Sequence, residues 1–134
     1  AALVRGVVSL VRPDRVIAVD ALSAREAARL CGAVQVTDAG IVPGSGVGNA
    51  RSALTEETLG VPVVAVGVPT VVDARTLCAD LSGAEIDLPE DTELFVTPRD
   101  IDTRVRDSAR LVGYAIDLAL HDALTIEDID MFLA

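Results

Sequence analysis

The stretch from Val36 to Ala74 places the strictest limits on what this chain can fold into. It reads VTDAGIVPGSGVGNARSALTEETLGVPVVAVGVPTVVDA, and in its segment PGSGVGN three glycines stand at alternate positions. Glycine has no Cβ, so side chains hardly restrict the backbone of this loop. An apolar run follows from Val61 to Val68. A strand, a glycine-rich loop and a second strand in succession are typical of the way α/β proteins build a binding site.

Composition favours a single α/β domain with an aliphatic core. The chain has 134 residues, which is enough for one domain that buries a sizeable core. Hydrophobic residues make up 51% of it and aromatic residues only 2%, so Val, Leu, Ile and Ala must fill the core. We therefore predict that residues 1–134 form one α/β domain. No apolar run approaches the roughly 18 residues of a membrane span, so no membrane partner is expected.

Charge and targeting signals narrow the partners and the compartment. The formal net charge is −10, and a surface this acidic opposes binding to the phosphate backbone of nucleic acid. The N-terminus lacks the sections of a signal peptide, so a cytoplasmic location is expected. Cys31 and Cys78 stand among apolar neighbours in predicted helices, and we expect both to be reduced and buried.

Hydrophobic periodicity predicts alternating helices and strands. Strands are predicted at residues 15–20, 33–37, 61–68 and 94–96. Helices are predicted at residues 1–11, 23–31, 71–81 and 98–121, with short helices after Thr55 and Thr125. The second of these helices rests on Ser23 and Glu26, which have the spacing of a capping box. This order predicts a mainly parallel sheet flanked by helices, with the long helix from Pro98 packed on the sheet.

Three aspartates stand at or just after predicted strand ends. Asp20 ends the first strand, Asp38 follows the second, and Asp73 closes the turn after the third. Ligands of open α/β sheets bind beyond the carboxyl ends of the strands. If the acids converge there, one can act as a base and another as an acid, because close carboxylates separate their pKa values. The alternative is that each one caps a helix or stabilises a turn.

The glycine-rich loop has three possible roles. PGSGVGN lacks the further glycine of a dinucleotide-binding fingerprint and the Lys-Ser/Thr pair of a P-loop, so it is a weak match to a phosphate-binding loop. Alternating glycines also let the backbone of a peptide substrate approach free N–H groups. A purely structural turn is the third role. His121 is the only histidine, and one histidine with scattered acids is no metal signature.

Three motifs carry a resemblance to a known family. They are VIAVDALSAR, QVTDAGIVPGSGVGNARSALTEETLGVPVVAVGVPTVVDA and LFVTPRDID, and they span nearly the whole chain. They resemble the germination protease of spore-forming bacteria. The resemblance implies an endopeptidase of the spore core that degrades small acid-soluble spore proteins, matures from a zymogen and forms tetramers. It also implies an α/β fold similar to that of the hydrogenase maturation proteases.

The same resemblance implies where catalysis takes place. The family is classed as an aspartic peptidase with two essential aspartates, and one of them matches Asp20 in VIAVDAL. The other belongs to a Thr-Pro-Asp-Ala-Leu-Gly-type motif that nothing in this chain matches. The chain therefore resembles the C-terminal portion of the family. We expect an incomplete domain, with the missing N-terminal segment of the same protein as its partner.

The predicted site consists of two acids and one loop. The predicted catalytic residues are Asp20 and Asp38. The predicted substrate-binding residues are Gly44, Ser45, Gly46, Gly48 and Asn49, and no metal or cofactor is expected. Three other functions fit the residues. A metal-dependent maturation peptidase of the same fold needs histidine and acid ligands that converge, a phosphate- or nucleotide-binding module would use the PGSGVGN loop, and the chain can also be a catalytically silent fragment.

Overall fold

The structure is a computed structural model that describes residues 2–45, 52–84, 87, 89 and 93–133. The chain divides into two units, Ala1–Pro98 and Arg99–Ala134. The first unit contains the sheet, and the second contains two helices. Two predictions stay predictions: that residues 1–134 form one domain, and that the long helix packs on the sheet.

The first unit alternates helices and strands along the chain. It contains α1 (Ala2–Val11), β1 (Val16–Ala24), a 3-10 helix (Ala27–Arg29), β2 (Gln35–Thr37), α2 (Glu56–Leu59), β3 (Val63–Asp73), α3 (Ala74–Ser82) and β4 (Phe95–Val96). The second unit contains α4 (Ile101–Leu120) and α5 (Ile126–Leu133). In the part of the chain that the structure describes, no helix combines the length and apolar character needed to cross a membrane.

The four strands form one mixed sheet. β3 pairs with β1 in parallel, whereas β2 and β4 are both antiparallel to β3. The prediction of an α/β fold is confirmed, and the prediction of a mainly parallel sheet is wrong. A parallel neighbour needs a crossover that carries the chain back to the start of the strand. The connection after α3 instead returns to the carboxyl end of β3, where the N–H of Ala74 donates to the carbonyl oxygen of Leu94 at 2.9 Å.

The central strand β3 is the most buried strand of the sheet. Val63, Ala65 and Val72 are at most 2% exposed. A strand that is covered on both faces has a nearly continuous run of aliphatic residues, and the run from Val63 to Val68 is of this kind. By contrast, β2 is exposed along its whole length. The core of this unit therefore gathers around β3.

The end of β1 differs from the sequence prediction. β1 continues to Ala24, so Ser23 lies in a strand and pairs with Val71 instead of capping a helix. Glu26 precedes a short 3-10 helix and makes no side-chain capping bond. The predicted helix after Ser23 is therefore wrong. Pairing with β3 along all nine residues of β1 outweighs the local preference of a capping box.

The two cysteines are half-buried rather than fully buried. Cys78 lies in α3, as predicted. Cys31 lies in a turn with a φ of 54°, because the helix predicted for it does not form. Neither cysteine forms a disulfide.

Two helices begin at the capping residues that the sequence predicts. Thr55 and Thr58 form a reciprocal capping box at the start of α2, and Gly60 ends this helix with a φ of 74°. At the start of α5, the N–H of Thr125 donates to Asp128 Oδ2 at 2.9 Å, and the N–H of Asp128 donates to Thr125 Oγ1 at 3.2 Å. These side chains bind N–H groups that have no partner within the helix, which is why the prediction succeeds.

An isolated antiparallel bridge closes the base of the glycine-rich loop. Ile41 and Leu54 exchange two backbone hydrogen bonds, of 3.0 and 2.8 Å. Gly40 precedes the bridge with a φ of 80°, and a Cβ on it would lie 2.9 Å from the Cα of Thr55. Both the backbone conformation and the lack of space require glycine here. The bridge therefore determines where the loop leaves and rejoins the fold.

A polar cluster joins the two helices of the second unit. Arg110 of α4 donates to Asp130 Oδ1 of α5 at 2.8 Å, and the hydroxyl of Tyr114 donates to the same oxygen. The guanidinium of Arg110 also lies 5.5 Å from the centroid of the Tyr114 ring. The hydrogen bond from Tyr114, followed by that from Arg110, lowers the pKa of Asp130 from its ordinary value. The cluster thus couples the packing of α4 and α5 to the charge of one carboxylate.

We expect Gly40→Ala to lower the free energy of unfolding by more than about 2 kcal/mol, because a steric clash adds to a backbone strain that alone costs about 1–3 kcal/mol. Urea denaturation measures this loss. Gly60→Ala is the matched control, because Gly60 likewise has a positive φ, of 74°. Nothing in the described part of the chain lies within 4 Å of the Cβ position of Gly60, so the control has the backbone strain without the clash. The control should lose only about 1 kcal/mol. Equal losses at both glycines would contradict the role given to the close contact with Thr55.

A second prediction concerns pH. Because the pKa of Asp130 is lowered from 3.8, its hydrogen bonds stabilise the fold above that pH, and the stabilisation is lost as the pH falls through the lowered pKa. Asp130→Asn should therefore destabilise the protein near about pH 7 and have a shrinking effect towards about pH 2. Thermal denaturation across this range measures the difference. Asp107→Asn, at an exposed position of α4, is the control. A loss for Asp130→Asn that stays constant with pH would refute this account.

Candidate functional site

A polar cleft of about 540 Å³ opens towards the carboxyl ends of β1 and β3. It is lined by Asp20, Ala21, Leu22, Ser23, Ala24, Arg25, Gln35, Val42, Gly44, Ser45, Asp73 and Thr76. The end of β1, the start of β2, the glycine-rich loop and the junction of β3 with α3 therefore meet at one point. This is the edge of the sheet at which α/β proteins bind ligands.

Asp20 is a half-buried acid at the middle of β1, and not at its end as the sequence predicts, because β1 continues to Ala24. The N–H of Ala21 donates to Asp20 Oδ1 at 2.9 Å. This is the one hydrogen bond to the carboxylate within the described residues. A carboxylate has about four acceptor positions, so Asp20 keeps acceptor capacity for a water molecule or a substrate in the cleft.

Gly67 separates Asp20 from Gln35 across the sheet. Asp20 of β1 and Gln35 of β2 are both register partners of Gly67 in β3. Directly opposed residues share a face of the sheet, and neighbouring strands lie about 4.8 Å apart. A carboxylate and an amide therefore flank a position that carries no side chain. Gln35 was not predicted as a site residue, because in a mainly parallel sheet the start of a strand lies at the edge opposite the carboxyl ends. The antiparallel direction of β2 brings Gln35 to the cleft.

Asp73 also lines the cleft, and its carboxylate caps α3. Its Oδ1 accepts hydrogen bonds from the N–H groups of Arg75 at 2.8 Å and Thr76 at 3.4 Å. This is the capping alternative that the sequence left open for all three aspartates. Because the cap binds N–H groups of the first helical turn, Asp73 fixes the junction of β3 and α3 beside the cleft.

Asp38 does not belong to the lining of the cleft. It is exposed and follows β2, whose last residue, Thr37, pairs with Ala65 in the first half of β3. Because β2 is antiparallel to β3, its carboxyl end points away from Asp73, the carboxyl end of β3. Three aspartates therefore do not converge at this edge as the sequence suggested. A catalytic role for Asp38 stays a prediction.

Within the described part of the glycine-rich loop, Gly44 and Ser45 line the cleft. Gly44 has a φ of 76°, and the N–H of Ser45 donates to the carbonyl oxygen of Val42 at 3.2 Å, so the chain turns at this point. The other predicted substrate-binding residues, Gly46, Gly48 and Asn49, lie outside the described residues. Substrate binding by all five stays a prediction.

Among the described residues that line the cleft, Arg25 is the cation, and it shares the lining with Asp20 and Asp73. No sequence pattern marked it, because an arginine that follows a strand is common on any surface. Within the described ranges, no three His, Cys, Asp or Glu side chains are grouped in a way that could hold a metal ion. His121 is the C-terminal cap of α4, in the other unit.

Comparisons with known proteins agree on one family. A sequence profile described as Germination protease matches residues 1–84. Proteins named Germination protease from Clostridium tetani and Caldanaerobacter subterraneus are 35% and 37% identical to this chain, over 99% of its length and 51% of theirs. The Germination protease of Bacillus subtilis is 55% identical over 78 residues, which cover 58% of this chain and 21% of that protein.

The similarity includes the cleft itself. Its lining residues run from Asp20 to Thr76 and thus fall inside the range 1–84 that the profile matches. The chain spans about half the length of the curated clostridial and Caldanaerobacter relatives it matches. The comparison therefore concerns the residues of the site as well as the scaffold around them.

Capping by Asp73 leads to a stability prediction. Asp73→Ala should lower the free energy of unfolding by about 1 kcal/mol, because it removes the acceptor for two N–H groups. Asp73→Asn keeps an oxygen acceptor and should lose less than about half of that. Urea denaturation of the two variants compares them. If both variants lose the same amount, charge rather than capping explains the contribution of Asp73.

Proposed function

Because this chain belongs to the germination protease family, we propose that it carries part of the active site of an endopeptidase that degrades small acid-soluble spore proteins in the spore core. The observation that supports the proposal most is the position of Asp20. This residue lies in VIAVDAL, lines the polar cleft, and keeps acceptor capacity on its carboxylate. The proposed mechanism is of the aspartic type and uses an activated water molecule.

In this mechanism Asp20 acts as the general base. Its carboxylate removes a proton from a water molecule in the cleft while the water oxygen bonds to the carbonyl carbon of the peptide. The bond from that carbon to nitrogen then breaks, and a second acid donates a proton to the leaving nitrogen. Gln35 is suited to orient the peptide, because an amide can donate to a carbonyl oxygen and accept from an N–H group. The loop residues Gly44 and Ser45 border the same space.

The second acid is proposed to come from an N-terminal segment of the same protein that this chain does not contain. Asp73 is a weaker candidate, because its Oδ1 already accepts two hydrogen bonds that cap α3. Asp38 is a weaker candidate because it is exposed and outside the lining of the cleft. For Asp38 we propose a supporting role to Asp20. The relatives are about twice as long as the matched region, which leaves room for such a segment.

Further polypeptide is also suggested by exposed apolar side chains in the first unit. Leu3 and Leu10 of α1 are 83% and 85% exposed, and Val36 of β2 is 67% exposed. Leu3, Val7 and Leu10 stand at i, i+4 and i+7 and so form one exposed apolar stripe on α1, and a contiguous stripe of this kind marks an interaction site. We propose that the N-terminal segment, or another subunit of a homotetramer made from a zymogen, covers them. The complete fold is then expected to be similar to that of the hydrogenase maturation proteases.

The test of this function is a pair of substitutions in the full-length protein that contains this chain. Asp20→Asn keeps the size of the side chain but removes the base, so cleavage of a small acid-soluble spore protein should fall about a hundred- to ten-thousand-fold. Asp38→Asn should lower the rate by less than about ten-fold, because Asp38 lies outside the cleft lining. The rate constant kcat is measured by the disappearance of the intact substrate.

Folding provides the control for this experiment. Thermal denaturation of both variants should match that of the unchanged protein, because Asp20 makes one local hydrogen bond and Asp38 is exposed. If Asp20→Asn cleaves at a nearly normal rate and Asp38→Asn does not cleave, the base is Asp38 and the assignment to Asp20 is wrong.

A further inference from the structure

A second pocket, of about 240 Å³, adjoins the cleft on the side of β2. It is lined by Leu22, Gln35, Thr37, Gly40, Ile41, Val42, Ser45, Ala65 and Gly67. Leu22, Gln35, Val42 and Ser45 line the polar cleft as well, so the two spaces are neighbours. The volume is below the roughly 300–1,000 Å³ of pockets that hold a whole small ligand. A space below that range can take one part of a larger ligand, such as a side chain of a peptide.

The side chain of Leu22 lines both spaces and rests on Gly67. A Cβ on Gly67 would lie 2.6 Å from Leu22 Cγ and would clash with Leu22 Cδ1. The φ of Gly67 is not positive, so an added Cβ would strain no backbone angle but would require the Leu22 side chain to move. Leu22 lines the cleft, the apolar pocket and a third, smaller pocket. A change in the position of this side chain would therefore alter all three spaces.

Two small residues give the pocket its depth. Ala65 and Gly67 are alternate residues of β3 and therefore share one face of the sheet. Both are buried, and longer side chains at these positions would occupy the pocket. Gly67 is also the register partner of Asp20, so the floor of the pocket lies about one strand spacing, roughly 4.8 Å, from the proposed base.

We propose that this pocket binds an apolar side chain of the peptide substrate and that Leu22, seated on Gly67, is the residue that determines how large this side chain can be. The proposal rests on the proposed peptidase function. Successive Cα atoms of a peptide are about 3.8 Å apart, so a bond held at Asp20 brings the side chain of the adjoining residue to the pocket. Leu22, Ile41 and Val42 supply the apolar contact.

The test uses the full-length protein that contains this chain and peptides that differ only in Ala, Leu or Phe beside the cleaved bond. Ala65→Leu fills the pocket, so kcat/KM for the Leu and Phe peptides should fall at least about ten-fold while that for the Ala peptide changes little. Leu22→Ala widens the pocket and should favour the Phe peptide over the Leu peptide. Ala28→Leu adds the same volume at an exposed position outside the pocket and is the matched control.

A double substitution tests the contact between Leu22 and Gly67. Gly67→Ala forces Leu22 out of its position and should impair the Leu and Phe peptides. Adding Leu22→Ala removes the clash, so the double variant should recover a preference for large side chains. The proposal is overturned if the losses in kcat/KM of the two single variants add in the double variant. It is also overturned if Ala65→Leu lowers kcat/KM equally for all three peptides.

Binding measurements separate this proposal from the proposed function. Fluorescence anisotropy with the same labelled peptides reports whether the pocket selects side chains even if no peptide is cleaved. Selective binding that Ala65→Leu abolishes, without cleavage by the unchanged protein, would support the pocket and reject the peptidase. Cleavage without any selection among Ala, Leu and Phe would reject the pocket alone. Thermal denaturation identifies variants that do not fold. Ile41→Ala replaces any such variant, because it should widen the pocket and raise the preference for the Phe peptide.

Discussion

The parallel pairing of β1 with β3 is the interaction on which the rest of this site depends. It aligns Asp20 with Gly67 and carries both strands to the edge at which the cleft opens. β3 can serve as the common reference because it is buried, with Val63 and Val72 at most 2% exposed, so its position is set by packing on both faces. β2, β4 and α3 are then positioned by their contacts with β3. A shift of β3 by one residue would give Asp20 and Gln35 a different partner in place of Gly67 and would turn the side chains of β3 to the other face of the sheet.

Local structure could be predicted from the sequence wherever neighbouring residues determine the backbone conformation. Thr55 and Gly60 mark the ends of α2 because a capping oxygen and a left-handed glycine act within one helical turn. The long helix and the apolar strand β3 follow in the same way from periodicity. The position of Asp20 in a strand that leads to the site also follows from the run that precedes it. The family resemblance adds an expected function to these local predictions. The match of the family profile to residues 1–84 supports the family.

Strand direction could not be predicted, and the errors at the site follow from it. A short exposed segment such as Gln35–Thr37 carries no pattern that distinguishes parallel from antiparallel pairing. The alternation of elements suggested parallel strands, which would have brought Asp38 to the cleft and Gln35 to the far edge. The antiparallel pairing does the reverse. The capping box at Ser23 failed for a related reason, because pairing with a distant strand overrode a preference that only nearby residues express.

The room for chemistry beside Asp20 comes from a missing side chain. Gly67 lies between Asp20 and Gln35 in the register of the sheet, and a larger residue there would displace the side chain of Leu22. A central strand is normally filled with branched side chains because they pack best. At Gly67 the central strand instead carries no side chain to pack, and space is left between Asp20 and Gln35. Asp73 makes the opposite contribution, since its carboxylate is used to hold α3 in place. Under the proposed mechanism, the described chain thus supplies the base, an amide that orients the peptide and a pocket for a side chain, and the proton donor comes from another segment.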